Sequence, residues 1–286
     1  MDHAARPYRS VLYIPASKER ALDKARGLPV DAIIFDLEDA VTPDAKEAAR
    51  DTLRAALEQG GYGQKMRIVR INGLDTPWGA GDVAALRTAP VDAFLLPKVG
   101  SRADVQALAD LLGNDTPIWA MIETPAGVQN AFEIAAHPRM QGFVAGTNDL
   151  AKELGCRFRP DRLPLQMALQ ALLMAARGHG VVAVDGVYNQ YQDAEGLRVE
   201  CEQGRDLGFD GKTLIHPAQV DVANHCFAPS AEEVDLARRQ IAALAEIEAS
   251  GQGVAVVDGK IVENLHVETA RKTLAKAEAI AALTAE

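Results

Sequence analysis

Cysteine is scarce in this chain. Cys156, Cys201 and Cys226 are the only three among 286 residues, and they lie far apart. No Cys-x-x-Cys pair and no Cys/His zinc spacing occurs, so a reduced compartment and inert thiols are expected. Positive charge is also in deficit. Thirty Lys and Arg face forty Asp and Glu, a formal net charge of -10. That balance argues against nucleic acid as a partner, although local basic residues can still cradle an anionic small ligand. No apolar run approaches the ~20 residues of a membrane span. Met1-Asp2-His3-Ala4-Ala5-Arg6-Pro7 carries no apolar signal core and no cleavage site. A cytoplasmic protein with no membrane partner is expected. No Gly-x-Gly-x-x-Gly follows an apolar run, which counts against a dinucleotide fold. Repeats and low-complexity tracts are missing, apart from Ala-rich helix surfaces.

What is present is alternation. Hydrophobic residues make up 48% of the chain, enough for a sizeable core. Eight short apolar runs read as strands: Ser10 to Pro15, Ala32 to Asp36, Arg67 to Ile71, Ala93 to Pro97, Ile118 to Glu123, Gly142 to Thr147, Val181 to Asp185 and Lys212 to His216. Amphipathic segments such as Ala45 to Gln59, Arg102 to Leu112 and Leu165 to His179 lie between them. The runs are apolar on both faces, as parallel strands covered by helices are. Eight β-then-α units favour a TIM (β/α)8 barrel over an open doubly wound sheet. The pattern changes after His216. Ala231 to Ser250 reads as a long helix with Ser230 as N-cap. Val254 to Val262 reads as a hairpin with an Asp258-Gly259 turn, and His266 to Ala282 as a last helix. We therefore expect a barrel over residues 1–229 and a helix, hairpin and helix extension over 230–286. The extension has too little core to stand free and is expected to pack as a flap or arm, on the barrel or on another subunit.

In such a barrel, ionisable groups at strand carboxyl ends read as site residues. The runs end in Asp36-Leu37-Glu38-Asp39, Arg70-Ile71-Asn72, Pro97-Lys98, Glu123, Asn148-Asp149, Asp185-Gly186 and His216-Pro217. Glu123 and Asp149 would point into one pocket from adjacent strands. Two carboxylates on a rigid rim, with room for water and substrate, suit Mg2+, with Mn2+ as a substitute. The competing reading for them is a structural ion pair. Arg70 would grip a substrate carboxylate with its planar fork. Asp36 and Glu38 would orient waters and basic side chains within the catalytic set. Asp39 could instead cap or order its loop, and His216 could simply bond a backbone group. Arg9 and the Ser17-Lys18-Glu19-Arg20 stretch bring cations to the first strand. A helix beginning near Ser17 would offer N–H groups and two cations to an anion, or be no more than an ordinary capping box.

Seven motifs occur in order: Arg9-Ser10-Val11-Leu12-Tyr13-Ile14-Pro15-Ala16, Ile34-Phe35-Asp36-Leu37-Glu38-Asp39-Ala40-Val41, Arg70-Ile71-Asn72, Leu96-Pro97-Lys98, Ile122-Glu123-Thr124-Pro125, Asn148-Asp149-Leu150 and Ile215-His216-Pro217-Ala218-Gln219. Over nearly its whole length the chain resembles the citrate lyase β-subunit-like family, which includes malyl-CoA, β-methylmalyl-CoA and citramalyl-CoA lyases and malyl-CoA thioesterase. The resemblance implies a barrel with Mg2+ on Glu123 and Asp149, and Arg70 on the carboxylate of the small acid. It implies a CoA thioester lying across the rim near Lys18, Arg20 and Lys98, with His216 beside it. It implies trimers or dimers of trimers, in which the segment after the hairpin reaches a neighbour's site and supplies an acid. That acid is usually Asp; here Glu263 stands in its place. A reach longer by a methylene matters, because misplacement of about 1 Å can cost about 10²-fold in rate.

The leading expectation is Mg2+-dependent cleavage of a 3-hydroxyacyl-CoA such as malyl-CoA into acetyl-CoA and a 2-oxo acid, with Glu263 reprotonating the enolate. The alternative on the same site is thioester hydrolysis. Two readings from outside the class are a CoA-independent pyruvate aldolase, against which the early basic cluster argues, and a non-catalytic binding subunit, against which the Arg70, Glu123 and Asp149 set argues.

Overall fold

The computed structural model describes residues 6–250 and 253–284; Met1–Ala5, on which the reading of the N-terminus rested, lie outside them. Eight parallel strands close into one barrel: β1 (Ser10–Pro15), β2 (Ala32–Asp36), β3 (Met66–Arg70), β4 (Ala93–Leu96), β5 (Ile118–Ile122), β6 (Met140–Ala145), β7 (Val182–Asp185) and β8 (Gly211–Leu214). β8 pairs back onto β1, with Ser10 opposite Lys212. The expected barrel is therefore the fold, with strand ends shifted by up to two residues.

Side chains alternate between two apolar layers, as the period of a strand demands. Val11, Ile34, Ile68, Leu95, Trp119, Val144 and Val184 fill the barrel interior. Leu12, Ile33, Phe35, Val69, Phe94, Ala120 and Phe143 pack outward against the helices. Trp119 is the largest buried side chain. It fits because residue 142 on β6 is glycine: a Cβ there would sit 2.2 Å from the Trp119 ring. At the amino-terminal end, Arg9 makes a buried two-pronged ion pair with Asp31, at 3.0 and 2.8 Å. Arg9 is thus a fixture between β1 and β2 and not part of an anion site.

The helices Arg102–Leu112 and Ala231–Ser250 form where the periodicity placed them. Ser230 caps the latter, exchanging bonds with Glu233. The helix after β1 departs from expectation. It starts at Glu19, with Lys18 as an N-cap that makes no side-chain cap bond; no Ser17 capping box forms.

The chain divides into two compact units, one of Tyr8–Phe227, the other taking in the chain from Ala228. In the second, β9 (Val256–Val257) pairs antiparallel with β10 (Lys260–Ile261). Both turn residues have positive φ, Asp258 at 50° and Gly259 at 75°, as an Asp-Gly hairpin requires. Ala255, Val257, Val262 and Val267 gather with Leu236, Leu244 and Ile247 in a small cluster. The extension thus has a modest apolar cluster of its own. Among the described residues no helix is long and apolar enough to cross a membrane.

Candidate active site

Strand parity decides which of the strand-end acids share a cavity. Asp36 continues the inward set Ala32 and Ile34, Arg70 continues Met66 and Ile68, and Glu123 follows Trp119 and Met121. All three therefore point up the barrel axis. With Tyr13, Asp39, Asp149, Thr213 and others they line a cavity of about 340 Å³.

Arg70 is the hub. Its Nε and Nη2 donate to the two oxygens of Asp36 at 2.8 and 2.6 Å. Nη1 donates to Asp39 at 3.3 Å and faces the Met121 sulfur at 3.8 Å. Glu38 Oε2 lies 2.7 Å from Nη1, an ion pair without hydrogen-bond alignment, so that oxygen has no donor. The guanidinium carbon sits 4.9 Å from the centre of the Tyr13 ring. Asp36 also accepts the backbone N–H of Glu38 at 2.9 Å and of Ala40 at 3.0 Å. Fully occupied in this way, Asp36 holds Arg70 in place.

Glu123 is buried, and its Oε1 accepts the backbone N–H of Lys98 at 2.7 Å. Lys98 reaches it by adopting φ of 52°, uncommon for a non-glycine residue. Burial pushes the Glu123 carboxyl up to about 8, the Lys98 N–H opposes this, and the charges of Glu38 and Asp149 add to it. Gly146 makes the placement possible, since a Cβ there would lie 2.3 Å from the Glu123 Cβ. Asp149 does not sit on a strand end, as the sequence reading had it. Strand β6 stops at Ala145, and Asp149 lies in the first turn of the helix Thr147–Glu153, where an acid complements the helix dipole. Glu38 is likewise pushed up, to about 7, by burial against the opposing pull of Arg70.

The donor set fits a hard dication. Glu123 and Asp149 line one cavity and offer oxygen donors, and the Asp149 charge adds to the cost of ionising Glu123. Among the described residues no group of three or more His, Cys, Asp or Glu forms a metal cluster, so further ligands would be water and substrate oxygens.

Other expected residues lie apart from the cavity wall. Lys18 and Arg20 are exposed at the start of the first helix and do not line it. The Lys98 ammonium is exposed and stands 4.0 Å from Glu38. His216 is also outside the lining. Its Nδ1 accepts the Ala218 N–H at 3.1 Å, and its ring stacks on Tyr191 at 4.6 Å. The plain backbone-bonding reading is thus realised. Asp185 is a correction. Val182 and Val184 point into the barrel, so Asp185 faces the helix layer, where Arg162 (2.7 Å) and Lys212 (3.1 Å) neutralise it. It is a buried structural ion cluster. Glu263 belongs to the C-terminal unit and is exposed, and its backbone N–H donates to His266 Nδ1 at 3.0 Å.

The sequence reading passed over Tyr13, Thr213 and Lys46. Tyr13 shares the inward parity of Val11, but β1 is apolar on both faces, so the sequence alone does not mark it. Lys46 donates to the carbonyls of Leu37 (3.0 Å) and Glu38 (2.8 Å) and to Asn72 (2.6 Å), pinning the turn that carries the acids. Nothing local in the sequence announces that contact.

Known proteins resemble the chain along its whole length. It is 66% identical over 285 residues, covering 100% of both chains, to a (3S)-malyl-CoA thioesterase of Cereibacter sphaeroides. An L-malyl-CoA/beta-methylmalyl-CoA lyase of the same species is 34% identical, with 97% of each chain covered. The crystal structure of CitE from Mycobacterium tuberculosis with magnesium, acetoacetate and coenzyme A superposes with a TM-score of 0.79 at 32% identity, covering 96% of this chain and 99% of that one. The sequence model for HpcH/HpaI aldolase/citrate lyase matches residues 9–217. With a full-length relative at that identity and a closed barrel carrying the acids at its rim, the chain belongs to the HpcH/HpaI aldolase/citrate lyase family.

Proposed function

We propose that this enzyme is a Mg2+-dependent malyl-CoA thioesterase, hydrolysing the thioester to malate and CoA. The supporting observation is the 66% identity, end to end, with a (3S)-malyl-CoA thioesterase. This reverses the order of the two readings the sequence suggested, in which carbon–carbon cleavage came first. Arg70, held rigid by Asp36, would take the carboxylate of the malyl group as a fork. Glu123 and Asp149 would hold Mg2+, which supplies positive charge and Lewis acidity to substrate oxygens. Water adds to the thioester carbonyl, the carbon–sulfur bond breaks, and the proton goes to the departing thiolate. Glu38 does not line the cavity but stands 2.7 Å from the Arg70 guanidinium, with its carboxyl pushed up to about 7 by burial, and is the group we assign to take and return that proton. The CoA arm is assigned to the exposed cations Lys18, Arg20 and Lys98, with His216 beside them. Glu263 is assigned to a neighbour's site within a homotrimer or dimer of trimers in the cytoplasm.

Lyase activity is the second reading, favoured by the 34% identity with a malyl-CoA lyase. Incubating enzyme, Mg2+ and malyl-CoA separates them. Malate with free CoA is expected; glyoxylate with acetyl-CoA would make the enzyme a lyase.

A further inference from the structure

Tyr13 carries a buried hydroxyl with no hydrogen-bond partner. The residue is inward-facing on β1, packs on the interior apolar layer, and forms part of the cavity wall with Arg70 and Glu123. Its ring is already used, as a platform 4.9 Å from the Arg70 guanidinium carbon. A phenylalanine would serve that purpose equally well. The oxygen is the unexplained part. A phenol in an apolar layer costs free energy unless its O–H finds an acceptor, and this one finds none among the described residues.

The surroundings say which acceptor is missing. Arg70, Asp36, Glu123 and Glu38 all act electrostatically on the Tyr13 oxygen. It therefore stands among the group assigned to the substrate carboxylate and one of the groups assigned to the metal. A 2-hydroxy acid spanning those two poles places one further oxygen between them, the one on its α-carbon. We propose that the Tyr13 hydroxyl donates to that α-oxygen and makes the site selective for an acyl group bearing oxygen next to its free carboxylate. This rests on the proposed function and narrows its substrate class: malyl-type thioesters are accepted, and succinyl-type thioesters, which lack the α-oxygen, are disfavoured. A site built to bond a substrate hydroxyl discriminates against the analogue without it, because the buried donor is then left unpaired.

Malate and succinate differ by that one hydroxyl, so their binding to the full-length Mg2+-loaded protein tests the idea by calorimetry. Tyr13→Phe keeps the ring beneath Arg70 and removes only the donor. Malate affinity should fall by about tenfold, while succinate affinity stays within twofold of wild type. Unchanged succinate binding also reports that the variant is folded. Malate binding unchanged within twofold would overturn the proposal, as would equal losses for both acids, since a packing role has no reason to distinguish them. Product analysis with malyl-CoA on the wild type is a separate readout. If no hydrolysis or cleavage is found there, the proposed function fails while the malate–succinate comparison still decides the role of Tyr13.

Discussion

The chemistry of this barrel is concentrated in a few carboxylates that are poor for stability. Glu123 is the clearest case. Its carboxyl is raised from an ordinary 4.5 to about 8, so the folded, metal-free protein holds a proton that the unfolded chain releases. Stability of that form should therefore fall as pH rises between about 4.5 and about 8. Glu123→Gln keeps an acceptor for the Lys98 N–H and removes the charge. The metal-free variant should melt at the same temperature as wild type or higher, with a flatter pH dependence across that window. It should also lose the rise in melting temperature that Mg2+ gives wild type, because a hard anionic ligand is gone. A Mg2+ response equal to wild type in thermal melts would remove Glu123 from the metal site. Arg70 lends itself to a second test. Arg70→Lys retains the charge but not the fork that Asp36 grips on one edge and substrate would use on another. Hydrolysis should fall in kcat/KM by about 10- to 100-fold, with CoA affinity little changed. Kinetics equal to wild type would move carboxylate recognition elsewhere.

At the scale of elements, the placing of the acids depends on strand parity and on close backbone approaches. Gly146, between β6 and its helix, lies so near Glu123 that Gly146→Ala must displace one of them. We expect a loss of about 1–3 kcal/mol in stability by chemical denaturation, together with weaker Mg2+ binding in the folded protein. An alanine variant with wild-type values of both would mean that the contact is not tight. The eight strands themselves were legible, because apolar runs alternating with helical periods admit few architectures. Arg70, Glu123 and Asp36 were legible as rim residues for the same reason. Asp185 misled because both faces of β7 are apolar, so the sequence does not say which parity faces inward; only the Val182 and Val184 packing does. Asp149 was put at a strand end because the β6 run continues through Gly146 and Thr147, while the chain begins a helix at Thr147. Lys46 was out of reach altogether, since its partners Leu37, Glu38 and Asn72 meet it only through the fold.

For the whole molecule, the proposed role of Glu263 turns on what the C-terminal unit packs against. The C-terminal unit has a small apolar cluster, yet Val254, Val256, Ile261 and Leu265 remain exposed around the hairpin. Apolar residues gathered on so short a segment favour an interface over a free surface. If the protein is a homo-oligomer with composite sites, as proposed, Glu263 from one chain would complete the barrel of the next. Subunit mixing tests this directly. Glu263→Gln chains keep a sound barrel but supply a neutral tail, and Arg70→Ala chains have a broken barrel but supply a sound tail. Co-refolded oligomers should recover activity that neither parent has, up to about a quarter of the wild-type rate per site when the chains mix at random in equal amounts. Recovery should disappear when both substitutions sit in one chain and are mixed with themselves. If mixtures never exceed their parents, each tail serves its own barrel or none, and Glu263 leaves the composite site.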